Sequence, residues 1–277
     1  MPRRPAIESI AELPLEFLES QFFDEAGEAL TELSVDGNHL QVRQDNLFRW
    51  LCYRGGMAQS AMLRERPADL LLSYTRAMMA FMLLVKDPRS VLVVGLGGGS
   101  LVKFMHQHLP RARITAVDRF PALAELATKY FDLPVASGRL RFRAEEAGAF
   151  LRRTRLQPDV IMIDIFDRNN LNATARKPEF YASCRARLAP SGVIVINLLV
   201  SDRDSCEKLP TPIRAAFDTI LSIRPDEYGN FIVFACNSNR PDLSALKPRA
   251  KQLERDLALP YRRFLEQIRE AERAGLN

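Results

Sequence analysis

The chain has 277 residues, of which 47% are hydrophobic and 26% charged, a composition typical of a soluble globular protein. This length accommodates one large domain, or one medium domain with an appendage. The net charge of +5 comes mainly from arginine, but acidic and basic residues alternate in the C-terminal stretch. Such alternation is typical of a solvated helix surface, so we expect no nucleic-acid partner.

The chain also lacks the sequence features of a membrane or secreted protein. The longest apolar run, residues 77–85, is far shorter than the roughly 20 residues that span a bilayer, and the N-terminus has no apolar segment typical of a secretory signal. The four cysteines are scattered, and the pair His106 and His108 has no other metal ligands near it in sequence. We therefore expect a cytoplasmic protein with reduced thiols, no membrane association and no metal site.

Short segments separated by turn signals fill the N-terminal part of the chain. Residues 7–30 show a weak helical pattern. Residues 31–62 contain half-apolar runs separated by the turn sequences DG, DN and RGG, which predict two β-hairpins in a small antiparallel unit. After the break at 64–69 (RERPAD), the apolar run 70–85 has the length and composition of one buried helix.

From residue 90 onward, apolar strands alternate with helical stretches. The predicted strands are 91–94, 114–117, 140–142, 160–163 and 193–196. The predicted helices that follow them are 100–109, 121–131, 144–153 and 177–188. Such alternation predicts a parallel sheet that is covered by helices on both faces.

The pattern changes after the fifth of these strands. A helix predicted over 208–219 is followed by two strands, within 219–225 and 230–236, that are joined by the tight turn DEYG. The predicted fold class is α/β: a methyltransferase-type (Rossmann-like), doubly wound, mostly parallel sheet with a terminal antiparallel strand, preceded by a small N-terminal β-hairpin unit. We expect three parts: residues 1–66 with a helical segment and the antiparallel unit, the main α/β domain in 67–240, and a helical tail in 241–277.

The first predicted strand ends in a glycine-rich turn. Ligands of open α/β sheets bind at the carboxyl ends of the strands, so the residues that follow each strand carry the chemistry. Here GLGGGS (95–100) leads directly into a helix. Gly95, Gly97 and Gly99 permit a tight turn and let a ligand contact the backbone at the helix N-terminus. Glycine turns are also common as packing features. The residues at the other strand ends must therefore show whether this turn binds a ligand.

Acidic residues follow the next three strands. Asp118 comes 23 residues after the first glycine of the turn, about where a ribose diol finds its acceptor. Glu145 and Glu146 follow the third strand, where they suit either the exocyclic amine of an adenine or the positive end of a helix dipole. Asp164 and Asp167 follow the fourth. Four strand ends, each with a group suited to a nucleoside, predict a ligand that contains adenosine.

Two classes of ligand match these strand ends: dinucleotides and sulfonium compounds of the S-adenosylmethionine type. The turn reads GxGxxS and lacks the third glycine of the dinucleotide fingerprint. The terminal antiparallel hairpin is also typical of the methyltransferase-type sheet. The sequence therefore favours the sulfonium compound.

Several stretches, taken in order, resemble a known family. They are YRGGMAQSAM, LLLSYTRAMM, VLVVGLGGGSLVKF, AVDRFP, EEAGAFL, DVIMIDIFD, EFYASCRARLAPSGVIVINLL and GNFIVFAC. Together they resemble the spermidine synthase (polyamine aminopropyltransferase) family, and more narrowly its bacterial spermidine-synthase-like branch. The resemblance covers about residues 45–236.

The resemblance implies an enzyme of polyamine biosynthesis. It would transfer an aminopropyl group from decarboxylated S-adenosylmethionine, its co-substrate, to a diamine such as putrescine, without a prosthetic group. The residues that would hold the adenosine part are Gln59, Gly95, Gly97, Asp118 and Glu146. Asp164 would accept a proton, Asp167 would hold an ammonium group of the amine, and Tyr74 would line the same pocket.

Elementary chemistry agrees with two carboxyl groups at one strand end. A diamine is protonated at neutral pH, because alkyl amines titrate near pH 10 or above. One nitrogen must lose its proton before it attacks the carbon beside a sulfonium, and a positioned carboxylate can take that proton directly or through water. A second carboxylate can hold and align the other end of the cation. The thioether leaves as a neutral group and needs no acid.

The sequence departs from the family pattern at four positions. Gly98 stands where the family usually has an aspartate that binds the aminopropyl ammonium group. Thr75 and Arg76 replace a histidine and a glutamate, and Arg168 replaces a proline. Two alternatives therefore stay open: a methyltransferase that uses S-adenosylmethionine itself, and a non-catalytic nucleoside-binding homologue. Family members are commonly oligomeric, which makes a homodimer an open expectation.

Overall fold

A computed structural model describes most of the chain. The described residues are 27–35, 37–54, 56, 58–167, 170–171, 173–199, 210–224, 229–237 and 241–273. Side chains are described for all of them except residues 38, 166–167, 170–171 and 269–273. The helical pattern predicted for 7–26 and most of the predicted turn DEYG lie outside the described residues.

The N-terminal part is a four-stranded antiparallel sheet. Its strands pair in chain order and are β1 (Glu28–Val35), β2 (Asn38–Gln44), β3 (Phe48–Tyr53) and β4 (Ala58–Leu63). The two predicted hairpins are therefore confirmed. The helix predicted over 7–30 is wrong for residues 28–30, because their backbone groups are satisfied by pairing with β2, where Ala29 lies opposite Arg43.

The apolar run 70–85 forms two short helices, α1 (Ser73–Met78) and α2 (Phe81–Leu84), instead of the single helix predicted. Between them the chain tightens, since the N–H of Met79 donates to the carbonyl of Arg76 at 3.1 Å. A run that is buried on every side has no polar face that fixes a helical period, so packing decides where it breaks.

The main sheet has seven strands in the described part of the chain. They are β5 (Ser90–Val94), β6 (Arg113–Asp118), β7 (Leu140–Ala144), β8 (Val160–Ile163), β11 (Val193–Leu199), β12 (Thr219–Ile223) and β13 (Asn230–Cys236). Directly after β8, the strands β9 (Phe166–Asp167) and β10 (Asn170–Leu171) form a separate two-stranded ribbon. The order across the sheet is β12-β13-β11-β8-β5-β6-β7, and β13 runs antiparallel to both neighbours. This confirms the predicted methyltransferase-type sheet with a terminal antiparallel strand.

Helices follow the strands largely as predicted. They are α3 (Ser100–His108), α4 (Pro121–Tyr130), α5 (Ala147–Arg153), α6 (Pro178–Arg187), α7 (Thr211–Ala216), α8 (Lys247–Leu257) and α9 (Tyr261–Arg273). The helix predicted over 208–219 is too long, because Thr219 already pairs with Cys236 in the sheet. Within the described ranges, no helix has both the length and the apolar character that crossing a membrane requires.

The central strand β5 contributes to two cores. Val91 and Val93 pack on one face with residues of α3, α8 and α9, whereas Leu92 and Val94 pack on the other with residues of α5 and α6. Burial on both faces explains why this strand is apolar at successive positions instead of alternating. The C-terminal helices belong to the first of these cores. The division of the chain at residues 66/67 and 240/241 stays a prediction.

One charged side chain is buried on the helix that follows the glycine turn. Lys103 on α3 is 4% exposed, and its Nζ has no hydrogen-bond partner among the described residues. It lies 5.7 Å from the centre of the Phe131 ring. Burial lowers the pKa of Lys103 to about 7, an effect opposed by Asp132 and reinforced by Arg49. Folding therefore favours the neutral amine at this position.

Replacing this residue (Lys103→Met) should remove a pH dependence of stability. Unfolding of the wild type takes up a proton at Lys103 from about pH 7 up to the ordinary lysine value of 10.5. The free energy of unfolding should therefore rise with pH across this window, by up to about 1.4 kcal/mol per pH unit. The variant should lack that slope and should be more stable than the wild type below pH 7, as measured by urea unfolding.

Lys251→Met, at an exposed position of α8, is the matched control and should retain the slope. If Lys103→Met kept the wild-type slope as well, the buried amine would not be its source.

Candidate active site

The carboxyl ends of β5, β6, β7 and β8 meet at one rim of the main sheet, and β4 of the N-terminal sheet lies over this rim. A cleft of about 610 Å³ lies between them. The predicted site residues that line it are Gln59, Tyr74, Gly95, Gly97, Asp118, Glu146 and Asp164. Of the two others, Gly99 is absent from the described lining, and the side chain of Asp167 in β9 is not among those described.

Gly95 is the point where two strand ends touch. Its φ is +93°, and a Cβ at this position would lie 2.1 Å from the carbonyl oxygen of Asp164. Gly97 also has a left-handed φ, of +51°, and faces Ser60 of β4. At these two glycines, neighbouring parts of the protein approach the backbone closely at the cleft wall, and the contact of either glycine with a ligand stays a prediction.

Gly99 packs within the turn and is not part of the described cleft lining, so its contact with a ligand stays a prediction. Its N–H donates to the carbonyl of Leu96 at 2.8 Å, and a Cβ would lie 2.7 Å from the side chain of Leu133. With a φ of +74° it caps the N-terminus of α3. The spacing of the glycines could not show that Gly99 lies outside the cleft lining, because its position depends on the packing of Leu133.

Ser60 is a cleft residue that the sequence analysis missed. Its Oγ accepts the N–H of Gly98 at 2.8 Å. A Cβ at position 98 would lie 2.8 Å from the Cβ of Ser60 and 3.2 Å from the Phe131 ring. Residue 98 has no room for a larger side chain while Ser60 and Phe131 stay in place. A serine in a half-apolar strand carries no sequence signal for this contact.

Asp118 holds the backbone on both sides of the cleft edge. One carboxyl oxygen accepts the N–H of Leu96 and the other that of Phe120, both at 3.0 Å. Burial raises the pKa of Asp118, and these backbone hydrogen bonds oppose the shift. A carboxylate has about four acceptor sites, so Asp118 can still bind a hydroxyl group of a ligand beside these backbone bonds.

Glu146 serves as the N-cap of α5. Its carboxylate accepts the N–H groups of Gly148 at 2.9 Å and Ala149 at 2.7 Å. Partial burial raises the pKa of Glu146, but these bonds and one from Thr174 outweigh it and place the pKa below its ordinary value. The neighbouring Glu145 accepts from Nε of Arg153 at 2.8 Å. The helix-start interpretation thus describes Glu146, and both acids line the cleft.

Asp164 lies at the end of β8 and faces the cleft. Its Oδ1 accepts from the side-chain amide of Asn197 at 2.9 Å, and its Oδ2 lies 3.4 Å from the hydroxyl of Tyr74. Burial raises the pKa of Asp164 to about 6, although both hydrogen bonds lower it. The carboxyl group is therefore largely ionised at neutral pH and can take up a proton close to it.

Tyr74 of α1 completes this side of the cleft. Its hydroxyl lies 3.4 Å from both Oδ2 of Asp164 and the carbonyl oxygen of Gln59, so its single proton can be donated to either. Burial, and then the charge of Asp164, raise the pKa of Tyr74 well above its ordinary value. The phenol is a neutral donor at any physiological pH.

Arg76 does not place a charge in the cleft. It is 8% exposed, its Nε donates to the carbonyl of Leu70 at 2.7 Å, and it is not part of the cleft lining. Thr75 does line the cleft, while its hydroxyl donates to the carbonyl of Leu72 at 2.6 Å. Arg168 lies outside the described residues. Within the described part of the chain, no group of three or more potential metal ligands occurs.

Fold and cleft together define the class: an α/β protein with a methyltransferase-type sheet and a polar cleft at its carboxyl edge. The model of the spermine/spermidine synthase domain matches residues 71–230, which is more than half of the chain. The chain therefore belongs to the spermine/spermidine synthase family, and the resemblance predicted from its motifs is confirmed.

The chain is also similar to several individual proteins. The polyamine aminopropyltransferase of Chromobacterium violaceum is 29% identical over 234 residues, which cover 83% of this chain and 89% of that protein. A probable spermidine synthase from Corynebacterium glutamicum has the same fold, with a TM-score of 0.66 at 21% identity over 81% of this chain and 86% of the other. Human methyltransferase-like protein 13 in complex with SAH gives a TM-score of 0.60 at 27% identity over 67% of this chain and 92% of the other.

The cleft should depend on the absence of a side chain at residue 95. In the variant Gly95→Ala, the left-handed backbone costs roughly 1–2 kcal/mol. Displacing the Asp164 carbonyl should add about 1–3 kcal/mol, as overpacking generally does. Urea unfolding measures the sum.

Gly138→Ala is the matched control, since Gly138 has a similar φ of +69° but nothing within 4 Å of a Cβ. The free energy of unfolding of Gly138→Ala should fall by the backbone contribution alone. Equal losses in both variants would contradict the close contact at Gly95.

Proposed function

We propose that the protein is an aminopropyltransferase of polyamine biosynthesis, which moves an aminopropyl group from decarboxylated S-adenosylmethionine to a diamine such as putrescine. Family membership supports this class of reaction. The observation that carries the proposal is the Asp164 carboxyl group, which faces a cleft beside the glycine turn and has a pKa of about 6.

The nucleoside of the donor would bind along the rim formed by β4, β5, β6 and β7. The turn at Gly95 and Gly97 exposes backbone, and Asp118 offers acceptors suited to a ribose diol. Gln59 of β4 lines the opposite wall. Glu146 lies where the adenine would end, although its carboxylate is shared with the N-terminus of α5.

The acceptor amine would lie beside Asp164. Its carboxylate removes a proton from the ammonium group, and the freed nitrogen forms a bond with the carbon next to the sulfonium. The bond between that carbon and sulfur breaks, its electron pair stays on sulfur, and a neutral thioether leaves. Asp167 would hold the second ammonium group of the diamine, and Tyr74 would line the same pocket, in the roles that their family positions imply.

Methyl transfer from S-adenosylmethionine itself is the second candidate, and the packing around residue 98 favours it. With Ser60 and Phe131 in contact with Gly98, no carboxylate stands there to hold the ammonium group of an aminopropyl chain. Calorimetric titration with both compounds separates the two candidates. Tighter binding of the decarboxylated form supports aminopropyl transfer, whereas tighter binding of the carboxylated form supports methyl transfer.

We also infer a cytoplasmic location and a small-molecule amine as the partner in the reaction. The described cysteines, Cys52, Cys184 and Cys236, form no disulfide bond with one another, which agrees with a reducing compartment. A homodimer and the lack of a nucleic-acid partner stay predictions.

The variant Asp164→Asn should lose about 100-fold or more in kcat/KM, because the amide cannot accept the proton. In the wild type the reaction needs the ionised carboxylate, so kcat/KM should fall as the pH drops below about 6. Thioether formation from decarboxylated S-adenosylmethionine and a panel of diamines measures both effects.

Asp256→Asn, at an exposed position of α8, is the control and should behave as the wild type. Full activity in Asp164→Asn would remove this residue as the base. If the wild type formed no thioether with any diamine, aminopropyl transfer would be rejected. A methyltransferase or a non-catalytic homologue would then remain as the candidates.

A further inference from the structure

Asn197 is a buried polar residue in an otherwise apolar strand. It is 1% exposed, and its neighbours in β11, Ile196 and Leu198, are 0% and 5% exposed. An amide in such a place destabilises the protein unless its donors and acceptors are paired. The roles that the family resemblance implies for Gln59, Tyr74 and the other predicted site residues do not explain this buried amide.

Asn230 of β13 pairs with this amide and fixes its orientation. Strands β11 and β13 are antiparallel, and Asn197 lies opposite Ile232, so the side chains of Asn197 and Asn230 are diagonal neighbours on the same face. The amide nitrogen of Asn230 donates to Oδ1 of Asn197 at 2.9 Å. The nitrogen of Asn197 is thereby turned toward Asp164, to whose Oδ1 it donates at 2.9 Å.

We propose that Asn197 and Asn230 are positioning residues, a hydrogen-bond relay across two strands that holds Asp164 with Oδ1 engaged by Asn197 and Oδ2 available to take the proton. The role as base rests on the proposed function, whereas the relay itself does not. Oδ2 has its described neighbour, the Tyr74 hydroxyl, at 3.4 Å, which is longer than a usual O–H···O bond of about 2.7–2.8 Å. Oδ2 therefore has the greater capacity for a new bond.

The relay also acts against burial in setting the protonation of Asp164. A hydrogen bond donated to a carboxylate stabilises its ionised form. Several elements contribute residues around Asp164. Helix α1 contributes Tyr74, which can titrate. The two asparagines from β11 and β13 and Gly95 of the glycine turn have no side chain that titrates. Among the described groups, Tyr74 is thus the titratable one that faces this carboxyl group, and it is neutral.

The direct test is the pKa of Asp164, read from the carboxyl carbon in protein labelled with 13C at the aspartate side chains and assigned by the signal lost in Asp164→Asn. Asn197→Leu keeps the volume and removes the donor, so the pKa should rise by about one to two units, the range expected for a hydrogen bond to a charged group. Asn230→Ala leaves the donor but frees its orientation, and the rise should be smaller. Asn230→Ser keeps a hydroxyl donor, so the pKa of Asp164 should lie closer to the wild-type value than it does in Asn230→Ala.

Ser222→Ala is the matched control, since Ser222 of β12 is a fully buried polar residue in the same sheet and away from the cleft. It should leave the pKa of Asp164 unchanged. An unchanged or lower value in Asn197→Leu overturns the relay. If that variant does not fold, Asn230→Ala decides in the same way.

An activity measurement keeps this proposal separate from the proposed function. In an active aminopropyltransferase, the acid limb of the pH profile of kcat/KM should move upward with the pKa of Asp164, by the same number of units. A shifted carboxyl pKa without transfer to any amine would uphold the relay and reject the function. An unshifted pKa of Asp164 with normal aminopropyl transfer would reject the relay and uphold the function.

Discussion

The close contact between the backbones at Gly95 and Asp164 determines the geometry of the whole rim. The N–H of Gly95 donates to the carbonyl of Val117 at 2.9 Å, and that of Asp164 to the carbonyl of Val94 at 2.9 Å. Three neighbouring strands therefore continue to pair as they leave the sheet, and at φ +93° only glycine allows them to meet. The carboxyl groups of Asp118 and Asp164 are placed by the same short segment of backbone.

The groups around Asp164 explain how it remains both half-buried and reactive. Its described partners are an amide and a phenol, neither of which carries a charge at neutral pH. Because neither of these described partners is a cation, the effect of burial outweighs their hydrogen bonds and the pKa of Asp164 rises. The carboxylate of Glu145 has a different kind of partner, the guanidinium of Arg153.

Local sequence signals predicted the sheet well and the side-chain network poorly. The strand over 160–163 was predicted within its observed bounds, because a short apolar run between polar residues is a local property. Asp118 and Asp164 could be placed for the same reason, since Asp118 ends one strand and Asp164 directly follows another. The contact of Asn197 with Asn230, and that of Ser60 with Gly98, could not, because each joins elements whose relative position depends on packing rather than on neighbours in sequence.

The N-terminal sheet is part of the site because its packing places β4 over the glycine turn. Leu40, Val42 and Leu51 of this sheet share a core with Leu123 and Phe131, the first on α4 and the second at its end. Apolar burial of this kind stabilises by roughly 25 cal/mol per Å², so the sheet is held by the same force that builds the main core. Ser60 then contacts the turn and Gln59 reaches the cleft. The main sheet alone would present an open rim, and the second sheet converts it into a cleft in which Asp164 is half-buried, and this burial raises its pKa.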